Sequence, residues 1–425
     1  MTLAPLLASV TPAGGTPSHA DPVAPLVLAL AVILIAAKLG GELATRLGQP
    51  AVLGELAGGV LLGNLHLVGV GALDGLKTDP MVDMIARLGV IVLLFAVGLE
   101  STVAQMMAVG LSSLLVATIG VAVPFALGWG VGAWLLPDAS PYVHAFLGAT
   151  LTATSVGITA RVLQDLGKST APEARNILGA AVIDDVIGLV ILAVVGGAIT
   201  AAASGQSLSY GSLSLILVKA VVFLVGALAI GVRLSPRMFR LASRLKARGV
   251  LLALALSWCF LLSWLAGVIG LAPIVGAFAA GLVLESVHYR DFVDRGEHEL
   301  EELVAPIAAF LVPVFFVVMG MRTDLRSFAD TRVLGLAAAL TVAAVIGKQA
   351  CGLGVIGGGV DRLTVGLGMI PRGEVGLIFA NMGMALVLAA TPIITPPLYS
   401  AIVVMVIVTT LVTPPALKWS LARKR

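Results

Sequence analysis

The chain has 425 residues, 59% hydrophobic and 12% charged, with 26 Lys and Arg against 23 Asp and Glu for a formal net charge of +3. Ordinary soluble domains carry about 25% charged residues, so this composition does not cover a water-facing surface and excludes a soluble globular protein. The small positive balance gives no reason to invoke nucleic acid, and Cys259 and Cys351 lie in apolar stretches, with no sign of a disulfide framework or a Cys/His metal site.

A bilayer is crossed by about 20 apolar residues. Such windows fall at 23–39, 50–64, 84–99, 109–134, 143–160, 176–199, 213–232, 249–265, 269–284, 303–320, 333–357, 363–390 and 395–417. They predict an all-α polytopic membrane protein with thirteen transmembrane helices, the second and ninth short. Residues 1–22, without a basic n-region or a clear cleavage site, read as an external tail and not as a signal peptide. An odd number of spans puts the termini on opposite sides. With the N-terminus outside, the inner loops and tail hold Lys38, Arg46, Arg161, Lys168, Arg175, the basic run from Arg233 to Arg248, Arg290, Arg295, Arg362 and the end from Lys418 to Arg425. The outer loops hold Lys77, Arg322, Arg326 and Arg332. The basic excess makes the first set cytoplasmic, with the three arginines after span ten as the exception. The expected location is the plasma (inner) membrane.

Spans two and three find an echo in spans nine and ten. The stretch from Val52 through Gly54 to Gly59 is matched 222 residues on by Val275 to Gly281, and Gly98 is matched at the same offset by Gly320. Spans two to six then repeat as nine to thirteen. Five spans per unit with two between make the repeats inverted, the architecture of many secondary transporters, with a site near the midplane at discontinuous helices. The glycine spacing at Gly54, Gly58, Gly59 and Gly63 suits close helix packing and is consistent with a dimer face.

Four spans carry the chemistry. Span five contains Thr152, Thr154, Ser155 and Thr159; membrane helices often use such hydroxyls to bond their own carbonyls, but this segment sits at nearly the repeat offset from Pro371, which points to a break. In span six, Asp184 and Asp185 are the only charges between Arg175 and Lys219. If the helix starts near Asn176, Asp184 is roughly 12 Å deep. Carboxylates there cost at least about 2.5 kcal/mol each, so they face water or a partner and mark an ion or proton path. Span eleven carries Lys348, the sole charge between Arg332 and Asp361, too deep to snorkel with ease and in need of a carboxylate. Adjacent helix positions point about 100° apart, so one aspartate pairs with Lys348 and the other stays available. In span twelve, Pro371, Gly373 and Gly376 surround Arg372 and Glu374, the only charges between Arg362 and Lys418. Proline removes a helix hydrogen bond and glycine frees the chain, so the helix unwinds here and lets the two charges pair.

The segments around Asp184–Asp185, Thr154–Ser155, Pro273, Lys348 and Pro371–Glu374 resemble the NapA-type sodium/proton antiporters of the monovalent cation:proton antiporter superfamily, over essentially the whole chain after the tail. The resemblance implies two crossed broken helices, five and twelve, in a core ion-translocation domain. It implies the division 23–83 and 233–320 for dimerisation, 84–199 and 321–417 for the core, 200–232 for a linker helix and 418–425 for a cytoplasmic tail. By position, Asp185 resembles the ligand of the transported Na+ and of the proton, and Asp184 the partner of Lys348. Thr154 and Ser155 resemble the unwound lining, and Arg372 with Glu374 the broken-helix charge pair. The implied partners are Na+, with Li+ or K+ as variants, H+, membrane lipid and a second copy of the chain; no cofactor is implied. The implied transport is electrogenic, by an alternating-access, elevator-type movement of the core.

Other classes fit less well. An intramembrane aspartyl protease needs its two aspartates opposed on different helices, and a channel does not need paired helix breaks. A sodium-coupled organic anion symporter shares the inverted fold, but the Asp184, Asp185 and Lys348 set argues against it, and K+/H+ exchange is the nearer alternative. No covalent chemistry is required, so the chain is not read as an enzyme. The run Glu297, His298, Glu299, Glu301 and Glu302 reads as a solvated loop in preference to a pH sensor, and Glu42, Glu55, Glu100 and Glu285 lie at or near span ends.

Overall fold

The computed structural model describes residues 23–69, 73–100, 110–155, 171–204, 210–243, 249–284, 298–357, 359–388 and 391–423, with scattered positions at 159–168 and 245–247. The helices in chain order are α1 (Val23–Arg46), α2 (Ala51–Gly63), α3 (Pro80–Glu100), α4 (Leu111–Leu135), α5 (Pro141–Thr152), α6 (Pro172–Ala203) and α7 (Tyr210–Ala242). They continue as α8 (Val250–Val268), α9 (Pro273–Val283), α10 (Leu300–Met321), α11 (Thr331–Gln349), α12 (Arg362–Gly368), α13 (Glu374–Ala385) and α14 (Pro396–Ala422). A two-stranded hairpin, β1 (Val387–Leu388) and β2 (Thr391–Pro392), joins α13 to α14.

Among the described residues, nine helices are long and apolar enough to cross a membrane: α1, α3, α4, α6, α7, α8, α10, α11 with its short 3-10 extension, and α14. α2 and α9 are shorter, as their windows suggested, and α13 is one half of an interrupted span. Proline opens α5, α6, α9 and α14, where its missing N–H costs nothing. Asp330 caps α11 by accepting from Arg332 N, and Asp361 caps α12 by accepting from Leu363 N.

The described residues form two compact units. One comprises residues up to Gly89 together with Phe310–Leu325, the other Val90–Ala309 and Arg326 onward. In the first, glycine lets backbones touch. A Cβ on Gly54 would lie 1.9 Å from the carbonyl oxygen of Gly40, one on Gly59 2.1 Å from that of Val317, and one on Gly320 2.1 Å from that of Leu56. Gly58 and Gly63 meet Ala36 and Met321 in the same way, so the glycine stripe of α2 packs on α1 and α10 of its own chain. Asn64 ties the end of α2 to the segment after α10: its side-chain amide donates to Thr323 O at 2.8 Å, and its Oδ1 accepts from Leu325 N at 3.1 Å. Asp83 accepts from Arg322 at 2.5 Å and from Arg87 at 2.6 Å. Arg322, one of the three outer arginines that opposed the charge count, is therefore neutralised locally.

The second unit makes equivalent contacts. A Cβ on Gly281 would lie 2.2 Å from Phe95 O, one on Gly98 2.4 Å from Phe278 O, and one on Gly276 2.1 Å from Leu262 O. Here α4 packs on α5, α6 and α11, and α14 on α11, α12 and α13. Cys259 and Cys351 are both buried free thiols.

Candidate functional site

α6 begins at Pro172, one turn earlier than the charge pattern suggested, which places Asp184 roughly 18 Å from the helix start. Asp184 is fully buried and Asp185 half-buried. Lys348, near the end of α11 and also fully buried, donates to Asp184 Oδ1 at 2.7 Å. The other carboxylate oxygen, Asp184 Oδ2, is buried and has no hydrogen-bond partner among the described residues. α4 makes room for the lysine: a Cβ on Gly120 would lie 3.7 Å from Lys348 Nζ and 3.3 Å from Cys351 Cβ. One turn on, Pro124 lies against Gly347, where an added Cβ would come within 2.9 Å of the proline ring.

Two helix interruptions meet in the same unit. α5 stops at Thr152, leaving Ala153, Thr154 and Ser155 outside helix, and α12 stops at Gly368, with five residues between it and α13. Both gaps are buried. Carbonyls and N–H groups released by a break in a membrane need partners, and the two gaps supply one another. Ser155 N donates to Pro371 O at 2.8 Å, Arg372 Nη1 donates to Ala153 O, and Thr159 Oγ1 donates to Gly368 O at 2.6 Å. From α14, Thr410 Oγ1 donates to Arg372 O at 2.7 Å. Thr154 Oγ1 is buried without a hydrogen-bond partner among the described residues.

Arg372 is fully buried, with Nε and Nη2 unpartnered among the described residues, and its charge lies within Coulombic range of Asp184. Glu374 opens α13, but its side chain lies outside the described residues, as does the side chain of Glu100 and the whole of Glu285 and Glu297. Thr159 and Thr410 are the residues whose role sequence reasoning did not isolate. His298 pairs with Glu302 at 2.8 Å, both largely exposed, as a solvated segment would. Glu42 pairs with Arg46 in the same exposed fashion, whereas Glu55 is 7% exposed.

The arrangement offers a hard cation carboxylate and hydroxyl oxygens in a setting with little competing water. Residues 28–423 match the family described as sodium/hydrogen exchanger, transmembrane. The chain belongs to this family. Among its exchanger relatives, it is 39% identical over 458 residues to the high-affinity Na+/H+ antiporter NhaS3 of Synechocystis sp., covering 98% of this chain and 96% of that one. It is 36% identical to the Na+/H+-K+ antiporter GerN of Bacillus cereus, covering 93% and 96%. The exchanger fold recurs in the solved sodium proton antiporter MjNhaP1 of Methanocaldococcus jannaschii, at a TM-score of 0.68 and 17% identity, over 93% of this chain and 97% of that one. This family member is thus a monovalent cation:proton antiporter by descent, and its relatives are transporters, not enzymes.

Proposed function

We propose that the chain exchanges a monovalent cation, Na+ foremost, for protons, and that Asp185 is the group for which both ions compete. The observation that carries this is the buried Asp184–Lys348 pair with one carboxylate oxygen left without a hydrogen bond, followed on the same helix by a second, half-buried carboxylate. A cation beside Asp185 favours its charged form and competes with Lys348 for Asp184, so bound cation and bound protons exclude one another. Thr154 and Ser155 complete an oxygen-rich lining, and Arg372 with Glu374 balances the breaks. Exchange follows when the core moves loaded with either ion but not empty. The names of NhaS3 and GerN support the Na+ reading, and the K+ in GerN's name favours K+/H+ exchange as the second reading.

The inverted repeat is part of this proposal. What supports it is that Gly59 touches Gly320 while Gly281 touches Gly98, and both exchanges fall at the offset of 222 residues. Gly54 on Gly40 and Gly276 on Leu262 repeat at that offset again. Thirteen spans result when α12 and α13 count as one and α5 is continued past its break. The mutual packing of α4, α5, α6 and α11 to α14 supports a core of these helices that moves in an elevator-like manner, with residues 23–83 and 233–320 as the dimerisation domain and residues 200–232 as linker. The basic loops support a plasma membrane protein with its N-terminus outside.

Purified protein in sealed vesicles with a pH-sensitive dye tests the exchange. Addition of Na+ should collapse an imposed pH gradient with no organic solute present; a gradient that responds to K+ alone selects the second reading, and one that responds to neither cation ends the proposal. Charge movement is the finer claim. An empty site with two carboxylates and one lysine carries one net negative charge, which a monovalent cation neutralises; if Lys348 also releases its proton when its pair is broken, more than one proton leaves per cation. Clamping the membrane potential should then shift the Na+ gradient at which flux stops, and a reversal point indifferent to voltage means electroneutral exchange.

A further inference from the structure

α7 is longer than a bilayer needs. Its 33 residues extend about 50 Å at about 1.5 Å each, against a hydrocarbon thickness of about 30 Å. From Tyr210 to Val232 the only charged side chain is Lys219, and beyond that the helix carries Arg233, Arg237 and Arg240. The same spacing continues in sequence at Arg244, which lies outside the described residues, and no Asp or Glu occurs between Asp185 and Glu285.

At about 100° per residue, Arg233, Arg237 and Arg240 fall within about 60° of one another. All three are exposed, and among the described residues the one hydrogen bond their guanidinium groups make is Arg233 Nη1 to Ala229 O at 3.1 Å, along the same helix. Beside this ridge, about a quarter turn round, Leu234 and Leu241 are 37% and 67% exposed. The opposite side is committed: a Cβ on Gly231 would lie 2.4 Å from Val283 Cγ1 of α9, and Ser235, Phe239 and Ala242 are buried. The helix end is thus held by packing, with a cationic ridge that has no acidic partner among the described residues and exposed leucines on its free side. Basic residues near an inner membrane face satisfy the topology rule wherever they stand, but that rule asks neither for one face nor for flanking leucines.

We propose that this ridge binds the phosphate headgroups of anionic phospholipids in the adjoining leaflet, with Leu234 and Leu241 set into the upper acyl region. A guanidinium matches a phosphodiester through two parallel N–H···O bonds, which a lysine cannot reproduce. Basic side chains beside apolar ones at the end of a spanning helix are the chemistry of an interfacial site. An acidic protein would satisfy the arginines while leaving the leucines exposed, so the lipid is the better occupant. The inference does not depend on which cation is exchanged.

The test titrates phosphatidylglycerol, phosphatidylcholine and, separately, glycerol 3-phosphate into the full chain in detergent, with retained lipid read by native mass spectrometry and thermal midpoint read alongside. The parent should retain and be stabilised by phosphatidylglycerol in preference to phosphatidylcholine. Arg233→Gln/Arg237→Gln/Arg240→Gln should weaken that preference at least about tenfold, since each basic residue near such a surface contributes about one order of magnitude or slightly less. Replacing the same three by Lys should recover part of it, and removing three charges at Lys77, Arg326 and Arg332 should leave it intact. If the triple Gln variant does not fold, Arg237→Gln alone should give a smaller loss in the same direction. Equal retention of phosphatidylglycerol by parent and Gln variants overturns the proposal, as does a parent without headgroup preference. Protection by glycerol 3-phosphate equal to that by the lipid would make this a free-anion site, and displacement of the lipid by polyglutamate would make it a protein-docking site; either result also overturns it.

Discussion

Two carboxylates, Asp83 and Asp184, each meet a basic residue far away in sequence, and their surroundings differ in one respect. Asp83 has both oxygens engaged, one by Arg322 and one by Arg87, and its side chain is 24% exposed. Asp184 is fully buried, has one oxygen held by a single lysine and the other without a hydrogen bond, and is followed directly by another carboxylate. A fully paired ion near the end of a span is a brace. A half-satisfied one buried inside a spanning helix has capacity for a further cation, and burying a polar atom without a partner is costly enough that structure alone does not favour it.

That contrast is broken most directly at Asp185. Asp185→Asn keeps the shape and removes the proposed ligand charge, so Na+-driven proton flux in vesicles should fall to the level of protein-free vesicles while the melting midpoint holds or rises, because a half-buried charge has been removed. Flux like that of the parent from the folded variant removes Asp185 from the role.

Lys348→Gln follows. Breaking a buried pair by removing one partner costs about 3–5 kcal/mol because the other charge is left uncompensated. Thermal unfolding should show that loss, and adding Asp184→Asn should restore most of the stability without restoring normal coupling. Additive losses in the double variant would mean that the two side chains do not act as a pair.

The glycine contacts sharpen the comparison from the packing side. Gly59→Ala and Gly281→Ala each push a methyl group into a backbone carbonyl, 2.1 Å from Val317 O and 2.2 Å from Phe95 O. Overpacking of this kind costs about 1–3 kcal/mol, or more where backbone has to move. If the two positions are repeat equivalents, their melting midpoints should fall by similar amounts; one neutral and one disruptive substitution would argue that the shared offset is fortuitous.

These residues also show what the sequence could disclose. Hydropathy alone located the helices, because a span has to be apolar over its whole length. That Lys348 pairs with one of the two aspartates was legible because, in segments with so few charges, a buried cation has few carboxylates to choose from; that the partner is Asp184 followed only from the family resemblance. The gap after Gly368 was legible because Pro371 and Gly373 lie in it. The gap after Thr152 was legible only from its place near the repeat offset from Pro371: its described residues include neither Pro nor Gly, and it is held open from outside, by Arg372 on the Ala153 carbonyl and by Ser155 N on Pro371 O. No local pattern encodes that. Thr410 was not legible at all, since its neighbours Thr409 and Thr413 bond carbonyls of their own helix, as membrane threonines commonly do, while Thr410 alone reaches across to Arg372 O. The glycine stripe of α2 announced close packing, but only the fold shows that α1 and α10 are what it meets.

Thr410 supplies the next test. Thr410→Val deletes one cross-helix hydrogen bond to the unwound segment, worth about 1 kcal/mol, and should raise the cation concentration for half-maximal flux, whereas Thr410→Ser should keep it. Thr409→Val, which removes a bond within α14, serves as the comparison: it should change the half-maximal concentration less. Equal effects of the two valine substitutions would assign Thr410 to helix packing.

The smallest effect belongs to the brace. Arg322→Gln removes one of the two arginines on Asp83, but Arg87 stays on the other oxygen, four residues along the same helix, and the site has access to solvent. Partly exposed ion pairs typically contribute about 0–1 kcal/mol. The melting midpoint should shift little, Na+-driven flux should match the parent, and what remains of the effect should shrink further as salt is added, because screening acts on a pair near the surface. The same series on Lys348→Gln, run with choline chloride so that no transported cation is added, should leave its defect nearly unchanged, since diffuse screening does not reach a carboxylate with zero exposure. If the two variants instead respond alike to salt, or if Arg322→Gln stops transport, then the difference between a satisfied and a half-satisfied carboxylate is not what separates structural from transporting charge in this chain.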